Sequence, residues 1–223
     1  MRLSAEDHAR VSAAVAAAEA GTDGEIVTIV ADRSDAYHDA ALQWAVLAML
    51  LALALLAAVP GMAEGLAGLW TDPWSGSPSG AALLTTALVV QAIVFLAARY
   101  LLAWPPLRLA LTPRTTKRRR ARARALTLFR AAAEQRTRGR TGVLLYLSMA
   151  EHDAEIIADA AIHDRVEPEV WGEAMAALIA AVKDGRPGDG MAAAVERIGA
   201  VLAEHFPRSE GDVNELPDRL IEL

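Results

Sequence analysis

The sequence predicts an α/β fold: a small sandwich, with a central mixed sheet flanked by helices, interrupted by a two-helix transmembrane hairpin. Three observations predict it. Two β-branched or leucine-rich runs, Glu25 to Ala31 and Gly142 to Ser148, are apolar on both faces, as interior strands are. Stretches with apolar residues at three-and-four spacing stand before, between and after them. Two uncharged runs, Ala40 to Ala63 and Pro73 to Ala98, occupy the middle of the chain.

Taken in order, the first 20 residues read as a helix, with Ser4 at the N-cap, Asp7 three positions on, and Gly21 closing it. The strand from Glu25 follows, and Ser34 or Asp35 is placed to cap a helix running into the first span. As a helix, Ala40 to Ala63 reaches ~36 Å and Gly80 to Ala98 ~28 Å, against a bilayer core of ~30 Å. Between them lies a Gly/Pro/Ser-rich turn that includes Gly68, Asp72, Pro73, Ser75, Gly76, Ser77 and Pro78. Trp44, Trp70, Trp74 and Trp104 fall near the ends of the apolar runs, where amphipathic rings favour the headgroup boundary. After a basic stretch, Ala125 to Ala133 supply an apolar helical face closed by Gly139. Then come the strand Gly142 to Ser148, a polar turn through Glu151, His152 and Asp153, and a third strand, Ala154 to Ala158, expected antiparallel to the second. One helix follows Glu167-Pro168 and runs to Gly185; another follows Asp189 and ends at Pro207. The last sixteen residues, 208–223, are polar and mostly acidic and read as a weakly ordered tail. If the first two strands are parallel neighbours, the hairpin is inserted in their crossover. The expected organisation is thus 1–39 as the first part of the α/β domain, 40–104 as the hairpin with spans at 40–63 and 80–98, 105–124 as a basic juxtamembrane segment, 125–207 as the main part of the domain, and the tail.

Composition bounds the function classes. Of 223 residues, 54% are hydrophobic but only 5% aromatic, so the apolar excess is aliphatic. The absence of Cys excludes a disulfide framework, a thiolate nucleophile and a Cys-based zinc site. A net charge of −6 argues against a general nucleic-acid binder, yet residues 99–140 hold thirteen basic residues against the single acid Glu134. Arg114, Lys117, Arg118, Arg119, Arg120, Arg122 and Arg124 form the centre of this stripe. It reads as a topological determinant or as a contact for anionic lipid headgroups; a nucleic-acid role lacks aromatic interleaving and any reading motif. The turn at 64–79 carries no Lys or Arg, so both termini are expected on the cytoplasmic side of a multi-pass protein of the inner membrane. Residues 1–39 lack the pattern of a signal peptide. Neither span has an ionisable residue at its centre, which disfavours a channel or transporter. Ala45, Ala48 and Ala52 could support close helix packing.

No Gly-x-Ser-x-Gly, Walker or His-Glu-x-x-His motif is present, and His8, His38, His152, His163 and His205 are scattered. Carboxylates are the remaining candidates. Asp32 and Asp35 follow the first strand, and Asp153 should lie at the same sheet end, where open α/β sheets bind ligands. Oxygen donors of this kind suit Ca or Mg, although loop acids and helix caps have the same composition. Asp159 is expected at the opposite end, in a turn or cap.

Arg140 through Ser148, Glu155-Ile156-Ile157-Ala158-Asp159, Val170-Trp171, and Gly190-Met191 through Gly199 to His205-Phe206-Pro207 together resemble the TPM domain family, in particular its bacterial integral-membrane branch. The likeness covers about residues 125 to 207 and extends to the N-terminal helix and strand as the family's opening elements. The family is named for a thylakoid-lumen protein, a photosystem II repair protein and a modulator of acetylcholine receptors. The resemblance implies a small α/β sandwich, with metal binding, acid phosphatase activity, and assembly or repair of membrane complexes among its relatives' associations. The chain departs from the common arrangement of signal peptide, exported domain and terminal anchor. The resulting expectation is a non-catalytic interaction or scaffold module at the cytoplasmic membrane surface, in contact with anionic lipids and an unidentified membrane protein and not with nucleic acid. The alternative is a phosphatase using a carboxylate cluster and a divalent metal.

Overall fold

A computed structural model describes residues 3–72, 74, 76–132, 141–210 and 215–223, and the chain divides into two units, 1–36 with 114–223 and 37–113. The first unit is built on a four-stranded sheet in the order β3 (Asp153–Ala158), β2 (Gly142–Ser148), β1 (Glu25–Ala31), β4 (Ile221–Glu222). Strand β1 (Glu25–Ala31) and strand β2 (Gly142–Ser148) pair in parallel over their whole length, from Glu25↔Gly142 to Ala31↔Ser148. Every residue of both is buried, which explains why neither strand alternates polar with apolar positions. Strand β3 (Asp153–Ala158) returns antiparallel to β2.

Helices cover both faces. Alternation along the strands sends Ile26, Val30, Val143, Leu145 and Leu147 to one face. There they meet Val11 and Val15 of α1 (Ala5–Glu19), Ala174 and Leu178 of α8 (Gly172–Lys183), and Met191, Val195, Ile198 and Leu202 of α9 (Pro187–His205). Val27, Ile29, Leu144 and Tyr146 face the other way, onto Ala121, Ala125 and Phe129 of α6 (Arg114–Ala132). Helix α1 starts as expected, with Ser4 and Asp7 exchanging both bonds of a capping box. Two glycines set the helix crossings. A Cβ on Gly199 would stand 2.5 Å from Ala18 Cβ and 3.1 Å from Ala18 Cα, and one on Gly190 would stand 2.7 Å from Ala181 Cβ.

The second unit contains α2 (His38–Ala58), α3 (Met62–Ala67), α4 (Gly80–Leu101) and α5 (Pro105–Leu111). Helices α2 and α4 pack against each other and are long and apolar enough to cross a membrane. Many of their large side chains are exposed, among them Leu51 at 61%, Leu84 at 75% and Leu88 at 69%. Trp44 donates from Nε1 to the Leu111 carbonyl at 3.1 Å, and Arg108 Nη1 lies 3.2 Å from His38 Nδ1.

Several expectations need correction. The apolar run 40–63 is not one helix: Pro60 cannot continue the backbone ladder, α2 stops at Ala58, and α3 occupies part of the expected turn. Neither Ser34 nor Asp35 caps α2, whose N-cap is Tyr37 in a left-handed conformation (φ 53°). The basic juxtamembrane segment 105–124 is largely helical, with α5 over Pro105–Leu111 and α6 beginning at Arg114. The helix after Glu167 opens with a 3₁₀ turn over Pro168–Trp171, and a short α7 (Ala160–His163) precedes it. The tail is not weakly ordered where it is described. Leu216 and Leu220 are buried, and β4 (Ile221–Glu222) pairs in parallel with β1, Ile29 opposite Ile221. The Glu25 carboxylate anchors this return, accepting the backbone N–H groups of Glu215 and Leu216, each at 3.1 Å. Pro73, Ser75, Ala133, Glu134, Arg136, Arg138, Gly139 and Arg140, which figured in the sequence reading, lie outside the described residues.

Two predictions follow from this packing. Gly199→Ala forces α1 and α9 apart and should lower stability by ~1–3 kcal/mol, read as a drop in Tm by circular dichroism. Burial, with Glu25 and Asp218 nearby, pushes the Glu19 carboxyl up from 4.5 to about 8. A raised carboxyl favours the protonated folded state, so this contribution is whole below pH 4.5 and is lost as pH climbs toward about 8. Urea unfolding of Glu19→Gln should show a flatter pH profile over that window, with the variant gaining on the parent as pH rises.

Candidate functional site

Because β1 and β2 run in parallel, their carboxyl ends lie at one end of the sheet, and the β2–β3 turn lies there too. The turn is tied to the exit of β1: Met149 N–H donates to the Ala31 carbonyl and Ala150 N–H to the Asp32 carbonyl, both at 3.0 Å. His152 completes it with φ 50°, an uncommon backbone for a residue with a Cβ. Glu151 organises the polar groups above. Its carboxylate accepts the Ser34 N–H at 3.0 Å and the Ser148 hydroxyl, while the Ser34 hydroxyl and the Tyr146 phenol lie 3.0 Å apart. Burial pushes the Tyr146 phenol up, although hydrogen bonds to Ser34 and Ser148 oppose it.

From this end a groove of about 810 Å³ runs along β3. Arg118, Arg122 and Leu126 of α6 line one side, and Trp171, Met175 and Ile179 line the other. A second concavity of about 430 Å³ shares Arg118, Asp153 and Ile179 with it and adds Arg114, Lys117, His152 and Lys183. Charges in the groove are paired across it. Arg122 lies 3.5 Å from the Glu155 carboxylate. Burial pushes the Glu155 carboxyl up while Arg122 draws it back. Asp153 behaves alike: burial raises it and Arg118 opposes the rise. One Asp153 carboxylate oxygen is buried with no hydrogen-bond partner.

The four candidate acids are only partly brought together. Asp32, Asp35 and Asp153 share the expected sheet end, but Asp32 is exposed and Asp35 accepts a hydrogen bond from Arg120 at 2.6 Å. Asp159 lies at the other end, as expected, and does a turn residue's work. Its carboxylate accepts the Gly142 N–H at 3.1 Å, and its carbonyl accepts from Ile162 and His163 at the start of α7. Among the described residues no group of three or more His, Asp and Glu side chains is placed to hold a metal ion. Asp35 meets Arg120, Asp153 feels Arg118, Asp159 takes the Gly142 N–H and Asp32 points to solvent, so the four carboxylates do not converge on one point.

Of the basic stripe, Arg118 and Arg122 line the groove, Arg114 and Lys117 the adjoining concavity, and Arg120 meets Asp35. Arg119 and Arg124 are exposed. The Glu151 network and the pairing of Arg118 and Arg122 with Asp153 and Glu155 were not foreseen. Their signal is visible afterwards: cations four apart on a helix and acids two apart on a strand each share a face.

Comparison with known proteins places this geometry. Residues 106–201 match the family model described as the TPM domain, so the resemblance seen in the sequence is shown and reaches further upstream, into α5 and α6. Among solved structures, the NMR structure of the BA42 protein from the psychrophilic bacterium Bizionia argentinensis aligns with a TM-score of 0.58 at 18% identity. The alignment covers 100% of this chain and 97% of that one, and at this identity it shows a shared α/β fold. No curated protein matches the chain.

The paired charges carry a prediction. Removing the guanidinium in Arg122→Ala should move the Glu155 titration to still higher pH, and Arg118→Ala should do the same for Asp153. Side-chain carboxyl ¹³C shifts followed against pH report both; an unmoved midpoint would show that the arginines do not face these acids.

Proposed function

With residues 106–201 matching the TPM domain, we propose that this chain is an integral-membrane member of that family acting as a non-catalytic interaction module at the cytoplasmic membrane surface. One observation carries the reading: the exposed leucines of α2 and α4 sit on two long apolar helices placed in the chain between β1 and α6, the pieces of a single sheet domain. Exposed to water, a leucine side chain forgoes roughly 1.5–3 kcal/mol, whereas hydrocarbon removes that cost. Lipid is therefore the solvent these two helices fit.

The charge pattern supports the orientation. Arg99, Arg108, Arg114, Lys117, Arg118, Arg119 and Arg120 follow the second apolar run, and the connection before it has no Lys or Arg. Basic residues near helix ends favour the cytoplasmic side, which assigns both the sheet unit and the termini to that side. Each basic residue close to an anionic surface contributes ~1 kcal/mol, so the exposed arginines of α6 suit acidic headgroups. The groove then offers a site for a membrane-protein partner, in keeping with a part in assembly or quality control of membrane complexes. A metal-dependent phosphatase would need converging carboxylates, and the acids of this site are divided among arginine partners and opposite sheet ends.

Membranes from expressing cells provide the test. The chain should stay in the pellet after alkaline carbonate washing; release into the supernatant overturns the reading. The natural absence of Cys makes single-cysteine labelling clean. Ser77→Cys should react with an impermeant maleimide in intact spheroplasts and Glu204→Cys only after permeabilisation, the reverse pattern inverting the topology. In the same membranes, crosslinking should recover a defined partner, and p-nitrophenyl phosphate with Mg or Ca should remain unhydrolysed.

A further inference from the structure

Among the described residues strand β3 ends the sheet on one side, and the pairing pattern states which of its backbone groups are spent. In an antiparallel ladder, directly opposed residues alternate between pairs that exchange hydrogen bonds and pairs that do not. Asp159 N–H donates to the Gly142 carbonyl at 2.9 Å, which fixes the phase. Two by two along the register, Leu144–Ile157, Tyr146–Glu155 and Ser148–Asp153 are the bonded pairs. The other side of β2 agrees: Glu25 N–H donates to the Thr141 carbonyl and Met149 N–H to the Ala31 carbonyl, so odd-numbered positions serve β1. Ala154, Ile156 and Ala158 therefore direct their backbone groups outward. The Ala154 N–H is turned to the Asp153 carboxylate. The N–H groups of Ile156 and Ala158, and the carbonyls of all three, face the groove.

That groove has the form of a slot for one more strand. All six residues of β3 line it, with α6 over one face and α8 over the other. A strand laid along β3 would send alternate side chains to opposite walls. One set meets Arg118 and Arg122, and, where the groove continues into the second concavity, Arg114 and Lys117. The other set meets Trp171, Met175 and Ile179. The opposite edge of the same sheet already holds such a segment. There Leu220 is buried in the core, Ile221 and Glu222 pair with β1, and the Glu222 carboxylate lies 3.2 Å from His8 Nε2. A second copy of the chain fits poorly, because symmetric antiparallel pairing of two β3 edges brings two arginine-rich α6 helices onto one sheet face.

We infer that the outer edge of β3 captures an extended segment of a partner protein as a fifth strand, with acidic residues facing α6 alternating with apolar residues facing α8. This deepens the interaction-module reading and rests on it. Main-chain hydrogen bonds to Ile156 and Ala158 supply affinity, and the two walls supply selectivity.

The test uses the full chain in lipid nanodiscs and a fluorescent, end-capped heptapeptide alternating glutamate and valine. Anisotropy should show saturable binding, and the amide resonances of Ile156 and Ala158 should shift with the same titration. N-methylation of alternate peptide amides, on the edge that pairs with β3, should weaken binding about tenfold or more, as should replacement of glutamate by lysine. The double variant Arg118→Glu, Arg122→Glu should weaken it similarly with an unchanged circular dichroism spectrum. Equal binding by the N-methylated or lysine peptide overturns the inference, as does concentration-dependent dimerisation that competes with the peptide. If no peptide binds while crosslinking still recovers a membrane partner, this inference falls and the interaction-module reading stands. If the peptide binds a chain that carbonate releases from membranes, the membrane reading falls instead.

Discussion

The parallel pairing of β1 with β2 is the constraint on which the rest of the sheet unit depends. Seven consecutive positions are matched, from Glu25↔Gly142 to Ala31↔Ser148, and every one is buried. The strands come from two stretches of chain separated by a whole helical unit, 37–113. Closing so long a loop is less costly than its length suggests, since the entropy grows only with the logarithm of loop length. Burial then decides the outcome, because both faces of both strands are covered by helices. The remaining strands hang on this pair: β3 on the outer side of β2, β4 on the outer side of β1.

The two edges of the sheet are handled differently. On the β1 side the chain folds back on itself, and Glu25 holds the returning backbone with both carboxylate oxygens while Leu216 and Leu220 fill the core. A buried carboxylate that accepts two N–H groups is well satisfied. On the β3 side no further strand is paired among the described residues, and the carboxylates there are set against arginines at the wall of a groove. Half-buried charges of this kind are costly in a structure that needs only stability. Their concentration along one edge, next to a turn with a left-handed His152, is the observation on which the proposed strand-capturing role of that edge rests.

Much of the architecture was legible from periodicity alone, and the misses have physical causes. Strands β1, β2 and β3 were readable because burial on both faces or alternation leaves a local pattern, and Ser4 with Asp7 is a local cap. Strand β4 was missed because Leu216, Leu220 and Ile221 are diluted by acids, and the carboxylate that holds the returning backbone, Glu25, is remote in sequence. The start of α6 was not delimited, because its first turns lie in the segment read from charge as juxtamembrane; arginine is a good helix former, and Ala121, Ala125 and Phe129 mark the buried face. The left-handed Tyr37 cannot be inferred from its neighbours. Three candidate acids were placed at the correct sheet end from strand direction. The groove itself was beyond reach, because it exists only once the strand order makes β3 an edge and α6 and α8 are laid on either side.

The interrupted sheet also sets a timetable. Ribosomes add about 5–20 residues per second, so the chain from Asp32 to Thr141 keeps β1 waiting several seconds for β2. During that interval Ile26-Val27-Thr28-Ile29-Val30 is an unpaired apolar strand of the kind that seeds aggregation, and no local hairpin can shelter it. Delayed emergence of Gly142 to Ser148, or slow folding of the intervening helices, would lengthen the exposure. Nascent-chain chaperones would be needed most at this stage of synthesis.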